Sequence, residues 1–223
     1  MAQCKYCGRS GLFLAVTANG LCSNCNHIVT MDVAQRARIM SDSIKLVKES
    51  KKLDTQLSRC DLIIEHASAL VKYEQRGIPT FDPLPSTLVK ECRTMHDQII
   101  VAALATEFEN VRSKVEIASS VNSKVTLLSK VLLKIREYKP KANNPTVLDS
   151  LEQQASQLIQ EIQLAGYLDE AKKAEFKGQK KKALDQYYEA LYFLKNDQID
   201  DSLQQEHIRF IETKIAELGG KIA

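Results

Sequence analysis

Four of the six cysteines in this chain form two C-x-x-C pairs near its start, Cys4-Lys5-Tyr6-Cys7 and Cys22-Ser23-Asn24-Cys25. A pair spaced this way delivers two sulfurs from one tight turn, and two pairs fill the four positions of a tetrahedral metal ion. The same spacing also serves redox dithiols, and His27, two positions beyond Cys25, offers an alternative nitrogen ligand. We read Cys4, Cys7, Cys22 and Cys25 as the ligands of one structural Zn2+. Four thiolates leave no coordination position for a reacting water, so the expected role of the metal is to build structure rather than to hydrolyse. Lys5 and Arg9, beside the first pair, would offset the surplus negative charge of the thiolates.

The elements that must position these sulfurs can be read from the same stretch. Gly8 suits the positive-φ backbone of a turn around the first pair. Leu12 to Thr17 is read as a short strand, and Asn19-Gly20 as the type I′ turn of a hairpin that returns the chain to the first pair. Cys22 and Cys25 then lead into a helical pattern beginning near Ile28. A knuckle, a hairpin and a second C-x-x-C at a helix start resemble the treble-clef zinc finger, with the zinc ribbon as its near neighbour. The resemblance covers residues 1–35 and implies a metal-built docking head.

Everything beyond Cys25 reads as helix, so the fold class is mainly α, with a small β-hairpin in the finger. Apolar or small residues recur three and four apart from Arg38 to Tyr73, through Ile39, Ser43, Leu46, Ser50, Leu53 and Leu57, which predicts one long helix. Gly77-Ile78-Pro79 through Pro85 breaks it, and a second stripe runs from Leu88 to Val115. An antiparallel hairpin of these two helices over residues 36–139, together with a helix from Lys124 to Tyr138, buries both stripes. A homodimeric coiled coil through the first stripe is the second arrangement. Lys139 to Pro145 is read as a linker, with Thr146 capping a further helix up to Ala165.

In the last segment, residues 146–223, small residues at Ala171, Ala174, Ala183 and Ala190 alternate with Tyr167 and Tyr187 around a turn at Gly178. From Leu164 to Asp197 this pattern resembles one tetratricopeptide repeat, with Lys195 standing where the repeat has proline. A helix from Leu203 to Leu218, stopped by Gly219-Gly220, would cover it. The three-helix plan also resembles a microtubule-interacting-and-transport domain. Either resemblance implies binding of a peptide or protein in a helical groove. Lys172, Lys173, Lys177, Lys180, Lys181 and Lys182 surround the turn. They read as a solvated face, because Glu170, Glu175 and Asp185 lie among them and the succession of aromatics needed for a single-strand platform is missing.

Composition limits the functional classes. The formal net charge of +3 is too small to point to nucleic acid by itself. No long apolar run and no secretory leader stand out, so a cytoplasmic protein without membrane contact is expected. Cys60 and Cys92 fall on apolar helix faces and read as core. The chain has no G-x-S-x-G, H-E-x-x-H or phosphate-loop motif, and His27, His66, His96 and His207 are scattered. The reading is therefore a non-enzymatic adaptor or scaffold, with a zinc finger, a helical peptide-binding region and an unidentified protein partner. The alternative is a nucleic-acid-binding regulatory factor that uses Lys5, Arg9, Arg36 and Arg38 on phosphate.

Overall fold

The structure is a computed structural model that describes residues 2–196 and 201–221. It is mainly helical. Strands β1 (Ala2–Gln3) and β2 (Ser10–Gly11) precede helices α1 (Ser23–Glu49), α2 (Leu53–Glu74), α3 (Pro85–Ile117), α4 (Val121–Tyr138), α5 (Asp149–Phe176), α6 (Lys180–Lys195) and α7 (Asp201–Glu217). Among the described residues, no helix is long and apolar enough to cross a membrane. The chain divides into two compact units, Met1–Ala105 with Glu137–Leu148, and Thr106–Arg136 with Asp149–Ala223.

In the first unit, the single long helix expected from Arg38 to Tyr73 is instead two helices with a sharp turn at Ser50–Lys52. Ser50 leaves the helical region at φ −73° and ψ 138°, and its hydroxyl accepts the Lys52 N–H at 3.1 Å. A short hydroxyl that bonds the backbone two residues on competes with the helical ladder, and here it wins. The apolar stripe gives no sign of this break, because both halves face one core. Paired contacts at Asp32–Tyr73, Arg36–His66 and Val47–Gln56 run in opposite order along α1 and α2, so the two helices are antiparallel.

The start of α3 closes the bundle. Cys60 and Cys92 are fully buried, as expected, and the Cys92 thiol lies 3.5 Å from the Cys60 carbonyl oxygen. Leu88, Val89, Met95 and Ile99 pack on the same core as Ile63, Ala67 and Leu70.

The Lys139–Pro145 stretch is tied down rather than loose. It contains 3-10 turns at Lys139–Lys141 and Pro145–Leu148. The buried Asp97 carboxylate accepts the backbone N–H groups of Asn143 at 2.7 Å and Asn144 at 2.9 Å. The expected cap at Thr146 moves to Asn144, whose side-chain oxygen accepts the Thr146 N–H at 3.2 Å. The α-helix that follows starts only at Asp149.

In the second unit, α5 is one continuous helix that joins the stretch ending at Ala165 to the first helix of the repeat-like pattern. Gly166 sits at the join, and a Cβ there would lie 2.9 Å from Val121 Cγ2, so its bare backbone lets α4 approach. The small residues expected at close helix contacts are buried: Ala171, Ala174, Ala183 and Ala190, with Tyr187 beside them. Tyr167 packs on Phe193 with ring centroids 5.9 Å apart. Ile208, Ile211 and Ile215 of α7 share one core cluster with Ala171, Tyr187, Ala190 and Leu194, and Tyr167 and Phe193 pack against that cluster. Asp197, the expected end of the repeat-like unit, lies outside the described residues.

Candidate metal centre

The sulfurs of Cys4, Cys7, Cys22 and Cys25 all lie within 4.8 Å of one another, so the residues singled out by spacing meet in space. All four are free thiols. Cys7 and Cys22, one from each pair, are 4.0 Å apart at sulfur. Cys4, Cys22 and Cys25 are buried, and Cys7 is exposed. His27 is not part of the cluster.

Each pair is held by backbone geometry that its neighbours dictate. At the first, the Gly8 N–H closes the knuckle on the Cys4 carbonyl at 2.9 Å, and Gly8 takes the positive φ expected of it, +72°. The strands around the knuckle are not those expected. Ala2 pairs with Gly11 and Gln3 with Ser10, so β1 and β2 flank the first pair on both sides. Leu12 and Phe13, expected in a strand, are exposed at 83% and 100%. Strand alternation needs every second side chain buried, and here Leu14 packs on the core while Leu12 and Val16, two positions either side, stay exposed.

The second hairpin is reduced to one bridge, Val16 with Cys22. Its turn is not type I′, which needs positive φ at two successive residues. Asn19 has negative φ, and among the described residues only glycines are positive. The Gly20 N–H bonds the Thr17 carbonyl at 2.8 Å with Gly20 at φ +74°, which is a tight turn followed by a left-handed glycine. This turn brings the Gly20 carbonyl onto the Lys5 N–H at 2.9 Å and so ties the two pairs together.

Cys22 then stands at the N-cap of α1 and Cys25 in its first turn. The unpaired N–H groups of a helix start favour negative charge on nearby sulfur. The Cys22 N–H also points at the Cys4 sulfur, at 3.4 Å. The backbone N–H of Cys7, joined by those of Cys22 and Tyr6 and opposed by burial, lowers the Cys4 thiol to about 6. The Cys22 thiol, burial and the other two sulfurs push Cys25 up to about 12. Sulfurs crowded this closely cannot all carry charge unless a cation joins them.

The knuckle rests on the helical bundle. Lys5 Nζ donates to the Gly77 carbonyl at 2.8 Å, and Arg76 Nη1 to the Tyr6 carbonyl at 2.7 Å. The Tyr6 ring packs on Tyr73 at 5.7 Å between centroids. Cys4, Leu21, Cys22, Cys25 and Val29 belong to the same core cluster as α1, α2 and the start of α3. The docking residues Tyr6 and Arg76 escaped sequence reasoning, since no local pattern links positions 70 residues apart.

Comparison with protein-family models, with curated proteins and with solved structures finds no match for this chain.

Proposed function

We propose that Cys4, Cys7, Cys22 and Cys25 hold one structural Zn2+, and that the protein is a non-enzymatic adaptor whose metal-built head and helical surfaces contact other proteins. The observation that carries this reading is the gathering of four cysteine sulfurs within 4.8 Å. Tetrahedral thiolate coordination at about 2.3 Å places sulfurs about 3.8 Å apart, and the 4.0 Å between Cys7 and Cys22 needs little adjustment. An all-thiolate set selects zinc over harder ions. A knuckle followed by a second pair at a helix start favours the treble clef over the ribbon.

Two clefts support a protein-binding role. In the first unit, a cleft of about 840 Å³ runs along α3 past Val89, Arg93, Asp97 and Val101 to Asn143 and Val147. In the second, a smaller one of about 240 Å³ lies beside Val121, Gly166 and Tyr167 on the tetratricopeptide-like helices. The first falls within the range of ligand sites, and its mixture of valines with a few polar groups suits a peptide side chain. The nucleic-acid reading loses two of its four cations to internal work: Lys5 bonds Gly77, and Arg36 pairs with Asp32 at 2.8 Å.

Native mass spectrometry with elemental analysis tests the metal: one zinc per chain, absent from Cys7→Ser/Cys22→Ser. Freshly purified protein without metal would refute it. The adaptor role is tested by pull-down from the native cell with wild type and Val101→Glu. A protein captured despite nuclease and lost with Val101→Glu supports it, whereas recovery of nucleic acid alone removes it.

A further inference from the structure

The turn joining α5 to α6 carries a charge and an apolar group that the protein itself does not use. Phe176, the last residue of α5, is 94% exposed. The buried face of α5 here is made by Ala171 and Ala174, and Phe176 points away from it. The turn closes through the Gly178 N–H on Glu175 and the Gln179 N–H on Ala174, which puts a polar residue where such turns commonly place an apolar contact. Phe176 therefore has no place in the packing.

Around it stand six exposed lysines: 172, 173, 177, 180, 181 and 182. Lys173 is paired with Asp169 and Glu170. The other five make no ion pair among the described residues. Of the carboxylates nearby, Glu175 faces Lys214 at 3.9 Å, and Asp185 lines the same surface as Lys180, Lys181 and Lys182 without pairing with any of them, so the lysines outnumber the acids at the tip. Lys180, Lys181 and Lys182 open α6 with no acidic residue in its first turn, where the helix dipole disfavours positive charge.

We propose that this tip docks on an anionic bilayer surface, with Phe176 entering the acyl boundary and the lysines meeting the headgroups. A bilayer supplies both complements at once, an apolar layer for one ring and a diffuse field of negative charge around it. Lysine ammonium groups are point charges without the fork that reads a single phosphate or carboxylate, and so suit such a field. A single-stranded nucleic acid would call for a charged groove and successive stacking aromatics, and a helix–helix tip with one phenylalanine provides neither. The expectation of no membrane contact rested on the lack of a spanning segment, and surface docking requires none.

The test is co-sedimentation of the full chain with vesicles of phosphatidylcholine alone, or of phosphatidylcholine with one quarter phosphatidylserine. Binding to the anionic vesicles only, weakening as salt rises, is the expected result. Phe176→Ser should lower the partition about tenfold or more, and Lys180→Gln/Lys181→Gln/Lys182→Gln by about a hundredfold. All four side chains are exposed, so circular dichroism should not change. The chain has no tryptophan, so Phe176→Trp adds a single reporter whose emission should shift to the blue on anionic vesicles. Equal binding to neutral vesicles, no binding to either kind, or anionic binding untouched by both variants would overturn the proposal. Capture of an oligothymidylate probe in place of vesicles would hand the tip to nucleic acid.

Discussion

The Tyr73 hydroxyl donates to the Asp32 carboxylate at 2.8 Å, fastening the end of α2 to α1 just beyond the cysteine cluster. The Tyr73 ring also carries Tyr6, so one residue supports the knuckle and the helix that follows the second pair. Arg36 holds the other oxygen of Asp32, at 2.8 Å.

Tyr73→Phe keeps the ring and removes this bond. A hydrogen bond to a charged group contributes about 1.5–3 kcal/mol, and the variant should lose stability within that range in urea unfolding. Burial raises the Asp32 pKa, but the bonds from Tyr73 and Arg36 outweigh it and hold the carboxyl below its ordinary value. A lowered carboxyl contributes stability that is present above its unfolded value, near 4, and fades as pH falls through the folded one. Tyr73→Phe should therefore cost more at neutral pH than in acid, and a loss that does not shrink in acid would refute the link.

Asp97 anchors the segment after α4 by accepting two backbone N–H groups, and the same logic applies to it. Burial opposes the N–H groups of Asn143 and Asn144 and the His96 ring, and the net effect lowers the carboxyl. Asp97→Asn removes the charge and leaves one acceptor oxygen where two were used, so about 1–3 kcal/mol should be lost. Amide exchange at Asn143 and Asn144 should quicken ahead of that in α1 and α2. Unchanged protection at those two amides would show that the anchor is dispensable.

The cysteines were legible because metal ligation demands residue types at fixed local spacing, and helical periodicity revealed most of the apolar faces. Less visible were features decided between distant residues. The turn at Ser50 hides within a stripe whose two halves share one core. Leu12 to Thr17 is apolar enough for a strand, yet nothing covers Leu12 and Phe13. No local pattern links Asp97 to Asn143, 46 residues away, whose backbone N–H it accepts. Phe176 fits a helical pattern, and only the packing of α5 and α6 leaves its face bare.

Because the knuckle shares a core cluster with α1 and α2, loss of the proposed zinc should reach into the bundle. Treating the protein with a zinc chelator, or replacing Cys22 by Ser, should raise hydrogen exchange at Tyr6 and in the first turns of α1. The end of α2 around Tyr73 should follow. Structural zinc contributes folding free energy directly, so the first unit should melt at lower temperature. Exchange in α6 should stay unchanged, and equal loosening there would argue for general unfolding.

Gly166 offers a case in which two effects of similar size oppose each other. Alanine is better than glycine inside a helix by about 1 kcal/mol, so propensity alone predicts that Gly166→Ala stabilises α5. The added Cβ would, however, meet Val121 at 2.9 Å from Cγ2 and 3.2 Å from Cγ1, closer than packed carbons tolerate. Overpacking of this kind costs about 1–3 kcal/mol. Val121 is branched at Cβ and cannot swing one methyl aside without moving the other, so the clash should prevail and the single variant should be less stable. Shortening the neighbour removes the conflict: in a Val121→Ala background, Gly166→Ala should stabilise by about 1 kcal/mol. Urea unfolding of the four-member cycle measures both signs. A Gly166→Ala effect that is the same in both backgrounds would mean that the two residues do not touch in solution.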